Sequence, residues 1–197
     1  MPQLKIEITS YWHPGTGRGR GNYIDAVTSR NAYGLPSLPG RTLKGLVRNA
    51  VYRWEQFGGY SKHTVAANLP SITDCLFGFY GNKTWPGLLR FGNAELPPIE
   101  VAALVDKPAL IAGLYREYFS TAIDHKTGTA QEQSLRGIEL IVPLTLYAHI
   151  DLISTAKYPQ FQNNWPSLLR AALPLIQAVG VHKSRGLGRA TLTIEGV

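Results

Sequence analysis

Residues 41–54 read Arg41-Thr42-Leu43-Lys44-Gly45-Leu46-Val47-Arg48-Asn49-Ala50-Val51-Tyr52-Arg53-Trp54. Leu43, Leu46, Val47, Ala50, Val51 and Trp54 recur at i, i+3, i+4, i+7, i+8 and i+11, the period of a helix with one apolar face. The spacing predicts a helix over 42–57, ended by Gly58-Gly59. Turning 100° per residue from Leu43, the apolar stripe centres at about 10°, while Arg41, Lys44 and Arg48 fall at about 160°, 100° and 140°. The basic side chains thus form a second face that begins at the first turn.

Upstream of this helix, Leu4, Ile6 and Ile8 alternate with Lys5 and Glu7, the pattern of a half-buried strand over 3–9. Residues 10–40 hold no helical period and are rich in Gly and Pro, a loop long enough to suggest function. Downstream, 88–96 reads as a strand weakened by Gly92, and 97–137 gives no clear element. Residues 138–150 alternate throughout, with Ile138, Leu140, Val142, Leu144, Leu146, Ala148 and Ile150 on one face and Pro143 marking an edge or a bulge. Asn163 or Asn164 opens a second helix, with Pro166 in its first turn and Pro174 expected to kink or shorten it. A last strand covers 190–195. The order strand, helix, strand, strand, helix, strand is that of an α+β, ferredoxin-like domain, the frame of the RNA-recognition motif, with insertions.

The chain has 197 residues, enough for one domain with a sizeable core. Its net charge is +7 and its pI about 9.6, a balance suited to a polyanion. Residues 1–53 carry Lys5, Arg18, Arg20, Arg30, Arg41, Lys44, Arg48 and Arg53 against only Glu7 and Asp25. Charged residues make up only 17% of the chain, against roughly 25% in an average soluble domain, which suggests surface covered by other subunits. No apolar run is long enough for a membrane span, and residues 1–10 do not read as a signal peptide. The single Cys75 excludes an internal disulfide and a multi-cysteine zinc site. A cytoplasmic protein is expected.

Two glycine-bearing loops carry donors. Gly15-Thr16-Gly17-Arg18-Gly19-Arg20-Gly21 matches neither a dinucleotide fingerprint nor a Walker loop, yet would let backbone and guanidiniums approach phosphates. His182, Lys183, Ser184 and Arg185, followed by Gly186, Gly188 and Arg189, read as an anion-binding loop before the last strand. Gly45 inside the first helix suggests close approach by another backbone, near Lys44 and Arg48. The histidines are too scattered for a zinc site. His13 or His182 could serve a ribonuclease as general base, although each is more often a plain loop histidine.

The segment Gly34-Leu35-Pro36-Ser37-Leu38-Pro39-Gly40-Arg41-Thr42-Leu43-Lys44-Gly45-Leu46-Val47-Arg48 resembles the G-L-P-x-[IL]-P-G-[ST]-[ST]-[LI]-K-G-x-x-R segment of the RAMP superfamily of CRISPR-associated proteins. Leu76-Phe77-Gly78, the stretch Ala122 to Ala130 with Ser134-Leu135-Arg136 and Glu139, and Gly180 to Gly188 resemble further family segments in the same order. The second of these is similar to the I-D-R-x-T-G-x-A … S-L-R … E stretch of the repeated backbone subunits of type III effector complexes. Arg41, His125 and Asn93 depart from the residues usual in the family.

The resemblance implies a single RNA-binding domain over 1–197 that polymerises along a guide RNA. It implies a thumb hairpin, here within about 105–137 and bearing Asp124, His125, Lys126 and Arg136. It also implies that Asp25, in Tyr23-Ile24-Asp25-Ala26-Val27, cleaves complementary target RNA, holding Mg2+ or another divalent metal or orienting a 2′-hydroxyl. Guide RNA would be held by Arg18, Arg20, Arg41, Lys44, Arg48, His182, Lys183, Ser184, Arg185 and Arg189. The expected partners are guide RNA, target RNA and other subunits, including copies of this chain or close paralogues, and no membrane. Two alternatives stand beside this reading: a non-catalytic guide-binding subunit, and a stand-alone guide-processing endoribonuclease.

Overall fold

Strand β1 (Gln3–Ile8) lies inside a four-stranded sheet, with Leu4, Ile6 and Ile8 buried and Glu7 exposed, as its alternation requires. The computed structural model describes residues 2–21, 23–60, 71–79, 85–153 and 158–196. Helix α1 (Gly40–Gln56) follows the long loop, and the short α2 (Ile72–Phe77) leads into a two-residue strand β2 (Gly78–Phe79), which pairs with β3 (Trp85–Pro86). Next come β4 (Leu89–Phe91), α3 (Pro98–Leu104), α4 (Pro108–Gly113), β5 (Tyr115–Ser120), β6 (Arg136–Ile141) and β7 (Leu144–Leu152). Helix α5 (Trp165–Ala172) and β8 (Ala190–Glu195) close the chain. The main sheet runs β4-β7-β1-β8 with every neighbour antiparallel, and β5 and β6 form a separate hairpin. The sequence reads as loop over 60–87; of that stretch 61–70 and 80–84 lie outside the described residues, and the rest holds α2, β2 and β3.

The stripe on α1 does what its period foretold. Leu43, Val47, Ala50 and Val51 are buried, and Leu46 and Trp54 pack partly buried against the same core, which α5 completes with Leu168, Leu169 and Ala172. Each fully buried aliphatic side chain of this kind contributes roughly 1.5–3 kcal/mol. The entry of α1 is set by contact with β4. A Cβ on Gly40 would stand 2.4 Å from the Phe91 carbonyl oxygen, so only glycine fits where Pro39-Gly40 meets the strand. The Gly40 N–H donates to Asn93 Oδ1 at 2.9 Å, satisfying one of the helix's free amides. Asn93 reaches it from a bulge after β4. Phe91 pairs with Ile150 and Glu95 bridges Tyr147, so four steps on one strand match three on the other.

Three expectations are corrected. Residues 138–150 are not one strand: the chain breaks at Val142-Pro143, so Ile138 and Leu144 belong to different sheets. The Val142 N–H still continues the β5–β6 pairing, donating to the Leu114 carbonyl at 3.0 Å, and Pro143, with no N–H for a ladder, ends it. Residues 97–137 are not featureless. Pro98 and Pro108 open the short helices α3 and α4, and β5 pairs with β6 through the register Tyr118↔Ile138. Gly45 is not approached by other backbone among the described residues, since a Cβ there would meet none of their atoms within 4 Å. The expectation for Pro174 holds: α5 stops at Ala172 and a 3₁₀ turn over Leu173–Leu175 takes the proline. Among the described residues no helix is long and apolar enough to cross a membrane.

Candidate nucleic-acid interface

The long glycine-rich loop folds into an irregular antiparallel ribbon laid against β6. Gly15 bridges Thr28 and Arg20 bridges Ile24, with Val27 N–H donating to the Arg18 carbonyl at 2.9 Å. Gly19 serves the ribbon's own closure: a Cβ there would stand 2.7 Å from the Ile24 carbonyl oxygen. Asp25 sits on the return limb, exposed to solvent, and is docked to Gly137 of β6 twice. Its N–H donates to the Gly137 carbonyl at 2.8 Å, and its Oδ2 accepts the Gly137 N–H at 2.8 Å. Asp25 Oδ1 takes no hydrogen bond from the described residues.

What fixes the ribbon is Glu139, two residues further along β6 and only 4% exposed. Its Oε2 accepts from the Thr28 N–H at 3.0 Å and the Thr28 hydroxyl at 2.5 Å. Its Oε1 accepts from Arg30 at 2.6 Å and Arg20 at 3.2 Å. The Arg30 guanidinium lies 3.7 Å from the centre of the Tyr115 ring, whose hydroxyl donates to the Gly34 carbonyl at 2.6 Å. Burial by itself pushes the Glu139 carboxyl up, but the two Thr28 hydrogen bonds and the Arg30 charge outweigh it, leaving the group below its ordinary value. Burial raises the Tyr115 hydroxyl to about 12, so it remains a donor. His13 belongs to the same cluster. It is 2% exposed, and its Nδ1 donates to the Glu139 backbone carbonyl at 2.6 Å, the position of a core histidine rather than an exposed base.

The expected RNA-binding residues fall into three places. Arg18 and Arg20 lie exposed on the ribbon, with Arg20 shared with Glu139. Arg41, Lys44 and Arg48 lie along one flank of α1, where Arg48 stands 3.6 Å from Asp74. Burial of its stem, then the charge of Arg48, lower the Lys44 ammonium's pKa. His182, Lys183, Ser184, Arg185 and Arg189 lie exposed on the C-terminal loop. This loop is pinned to the chain leading into the ribbon: Val181 N–H donates to the His13 carbonyl at 3.0 Å and Gly188 N–H to the Tyr11 carbonyl at 2.8 Å. The two glycine loops are therefore neighbours.

The other flank of α1 faces the C-terminal loop. A groove of about 1240 Å³ runs between them, lined among others by Asn49, Arg53, Arg170, Lys183, Ser184 and Arg189. By helical geometry Asn49 and Arg53 lie at about 240° and 280°, across α1 from Lys44 and Arg48. Lys44 and Arg48 therefore flank α1 opposite Lys183, and the basic set straddles the helix. Arg53 and Arg170 were not singled out by sequence. Their signal was present in the helical wheel for Arg53 and in nothing local for Arg170.

The hairpin bears the remaining residues. Beyond β5 and β6, residues 121–135 form an exposed tip closed by Asp124, whose Oδ1 accepts the Lys126 N–H at 2.7 Å and whose carbonyl accepts the Gly128 N–H at 2.8 Å. His125, Lys126 and Arg136 are exposed on it. Among the described residues no three His, Cys, Asp or Glu gather as a metal cage.

No curated protein matches this sequence. The fold is similar to that of a chain in the cryo-EM structure of the Type III-B Cmr-beta bound to cognate target RNA, with a TM-score of 0.70 and 10% identity over 98% of this chain and 96% of that one. A chain in the structure of the apo state of Type III-B Cmr-beta gives a TM-score of 0.67, again at 10% identity and with the same coverage. The family model for the RAMP superfamily matches residues 5–191. With that match running over almost its whole length, the chain belongs to the RAMP superfamily.

Proposed function

We propose that this chain is a backbone subunit of a CRISPR type III-like effector complex. It binds guide RNA along the phosphate backbone and cleaves complementary target RNA through Asp25. The observation that carries this reading is Asp25 itself: an exposed carboxylate, oriented through one oxygen, on a ribbon whose neighbouring side chains Arg18 and Arg20 are cationic. Family membership and the target RNA held by the similar Cmr-beta complex support it. The strand order β4-β7-β1-β8, with α1 and α5 as connections, supports reading the sheet as ferredoxin-like. The β5–β6 hairpin, with its exposed tip, is the proposed thumb.

The residues present offer a divalent metal one carboxylate oxygen, Asp25 Oδ1, with further ligands to come from water and RNA phosphate, which suits magnesium's preference for retaining waters. Bound there, the ion would supply charge to stabilise the developing phosphorane. The chain's own part is to hold that oxygen still through Gly137 and to fix the phosphates with Arg18, Arg20, the α1 cations and the C-terminal loop. Guide RNA, target RNA and further copies or paralogues of the chain are the proposed partners, and the cytoplasm the proposed location. The Gly137 bond to Asp25 Oδ2 also favours a second reading, in which Asp25 only closes the ribbon and the subunit is structural.

Asp25→Ala in the reconstituted complex separates the two when guide loading, target binding and target cutting are measured independently. The proposal expects binding to persist while metal-dependent cutting disappears. Full cutting by the variant assigns the chain to the structural class, and loss of guide loading makes Asp25 a folding residue.

A further inference from the structure

Ala190-Thr191-Leu192-Thr193-Ile194-Glu195 forms β8, an edge of the main sheet. Its pairing with β1 starts where the Thr9 N–H donates to the Arg189 carbonyl at 2.8 Å. Antiparallel pairs alternate, so Thr191, Thr193 and Glu195 continue that ladder, while the N–H and C=O groups of Ala190, Leu192 and Ile194 point away from β1. The Ala190 N–H bears this out, because it donates outward to the Gln177 carbonyl at 3.0 Å. The chain at Gln177-Ala178 therefore pairs the start of the edge, with Ala178 bridging Arg189 antiparallel. It pairs no more of it, since Leu173–Leu175 curl into a 3₁₀ turn around Pro174. Among the described residues, the outward groups of Leu192 and Ile194 have no hydrogen-bond partner, although the two residues are only 5% and 7% exposed. Open edges are commonly blunted by a lysine, a proline or a bulge, and β8 has none of these.

The groove of about 1240 Å³ runs along this open edge, with Leu192 and Ile194 on one side and Leu46 and Leu175 in its wall. Arg53, Arg170, Lys183 and Arg189 also line it, and no acid does. None of the four cations has an ion pair among the described residues. We propose that the β8 edge and this groove take an extended acidic segment of a partner protein, added to the main sheet as a further strand. Its main chain would pair Leu192 and Ile194. The side chains opposite those two point with them toward the helices, where Leu46 and Leu175 offer apolar contact, and its carboxylates meet the four cations. A basic segment would meet like charge. Nucleic acid suits the cations but not the edge, because phosphates only accept hydrogen bonds and the outward carbonyls of Leu192 and Ile194 need donors. Lys183 and Arg189 belong to the proposed RNA-binding set as well, whereas Arg53 and Arg170 lie across α1 from Lys44 and Arg48 and distinguish the two ligands.

The test is fluorescence anisotropy of the full chain with labelled peptides of about eight residues, alternating Val, Ile, Leu or Phe with Glu, and with the same peptides carrying Lys for Glu. The acidic peptides are expected to bind and the basic ones not. N-methylation of every second residue removes main-chain donors from one side of a strand. One of the two alternate sets should weaken binding about tenfold or more, and the other should leave it nearly unchanged. Arg53→Gln with Arg170→Gln should weaken the acidic peptides about fivefold while single-stranded RNA binds as it does to the wild type. Hydrogen exchange followed by NMR should show the Leu192 and Ile194 amides gaining protection when peptide binds, with Thr191 and Thr193 protected throughout. Absence of binding across the whole panel overturns the proposal, as do equal effects of the two N-methylated sets or no change at Leu192 and Ile194. So does an Arg53→Gln, Arg170→Gln variant that loses affinity for RNA, with RNA displacing bound peptide, which would make the groove part of a nucleic-acid track.

Discussion

The four-stranded sheet and the ribbon–hairpin layer are held by opposite chemistry. The sheet buries a continuous apolar set from β1, α1, β7 and α5, and its contacts are non-directional. The ribbon lies on β6 through directed bonds: Asp25 to Gly137, and Thr28, Arg20 and Arg30 to one carboxylate. A core built by burial tolerates no charge, whereas a layer built by paired polar groups fails when one partner is neutralised. The first region secures folding, and the second places the candidate chemistry.

The largest effect should come from charging the sheet's core. Val47 is fully buried, and Val47→Asp leaves an unpaired carboxylate among aliphatic groups, with a loss of about 4 kcal/mol or more. Circular dichroism and urea denaturation should report an unfolded chain, and a soluble, natively folded variant would contradict the placement of α1.

Breaking the ribbon's hub should cost less and act locally. Glu139→Gln removes the charge that Arg30 and Arg20 face and is expected to destabilise by about 2–3 kcal/mol in urea denaturation. The share of Arg20 is small, because its side chain is 59% exposed and water screens the pair, so Arg20→Ala should cost less than about 1 kcal/mol. The pH dependence follows from the sign of the shift. Glu139 lies below its ordinary value of 4.5 in the folded chain, so its contribution is complete above that value and vanishes as pH falls through the folded one. The stability gap between wild type and Glu139→Gln should therefore narrow on acidification below about pH 4.5. A gap constant from neutral to acid pH would show that the carboxylate's charge plays no part.

Smallest is the expected effect of surface cations. Removing Lys44 and Arg48 together should lower the slope of log binding constant against log salt by about 1.4 for single-stranded RNA, whatever its sequence, with folding unchanged. An unchanged slope would tell against their contact with phosphates.

The same contrast decides how much could be read from sequence. Strand β1 and helix α1 announced themselves through periods of 2 and 3.6, because one face of each meets a single apolar core. Pro143 was visible, but not its consequence: only the partners on either side, β5 for β6 and β1 for β7, show that the chain changes sheets there. Glu139 illustrates the limit. Alternation placed it opposite Ile138 and Leu140, on the face expected to meet water, whereas it is buried. The residues that permit this, Thr28, Arg20 and Arg30, lie more than a hundred residues away, and no local pattern links them. Asp25 was legible only through the family resemblance, because a lone loop acid has no periodic signature. Its docking on Gly137 depends on a strand pairing that the sequence did not reveal.

The separation of the two regions is tested most directly by native-state hydrogen exchange on Glu139→Gln, read at the amides of Asp25, Val27, Thr28 and Glu139 against those of Ile6 and Leu146 in the sheet. Loss of about 2 kcal/mol should speed exchange of the ribbon amides about thirtyfold while the sheet amides keep their protection. Equal acceleration in both regions, or none in the ribbon, would contradict a ribbon held in place by its own polar cluster.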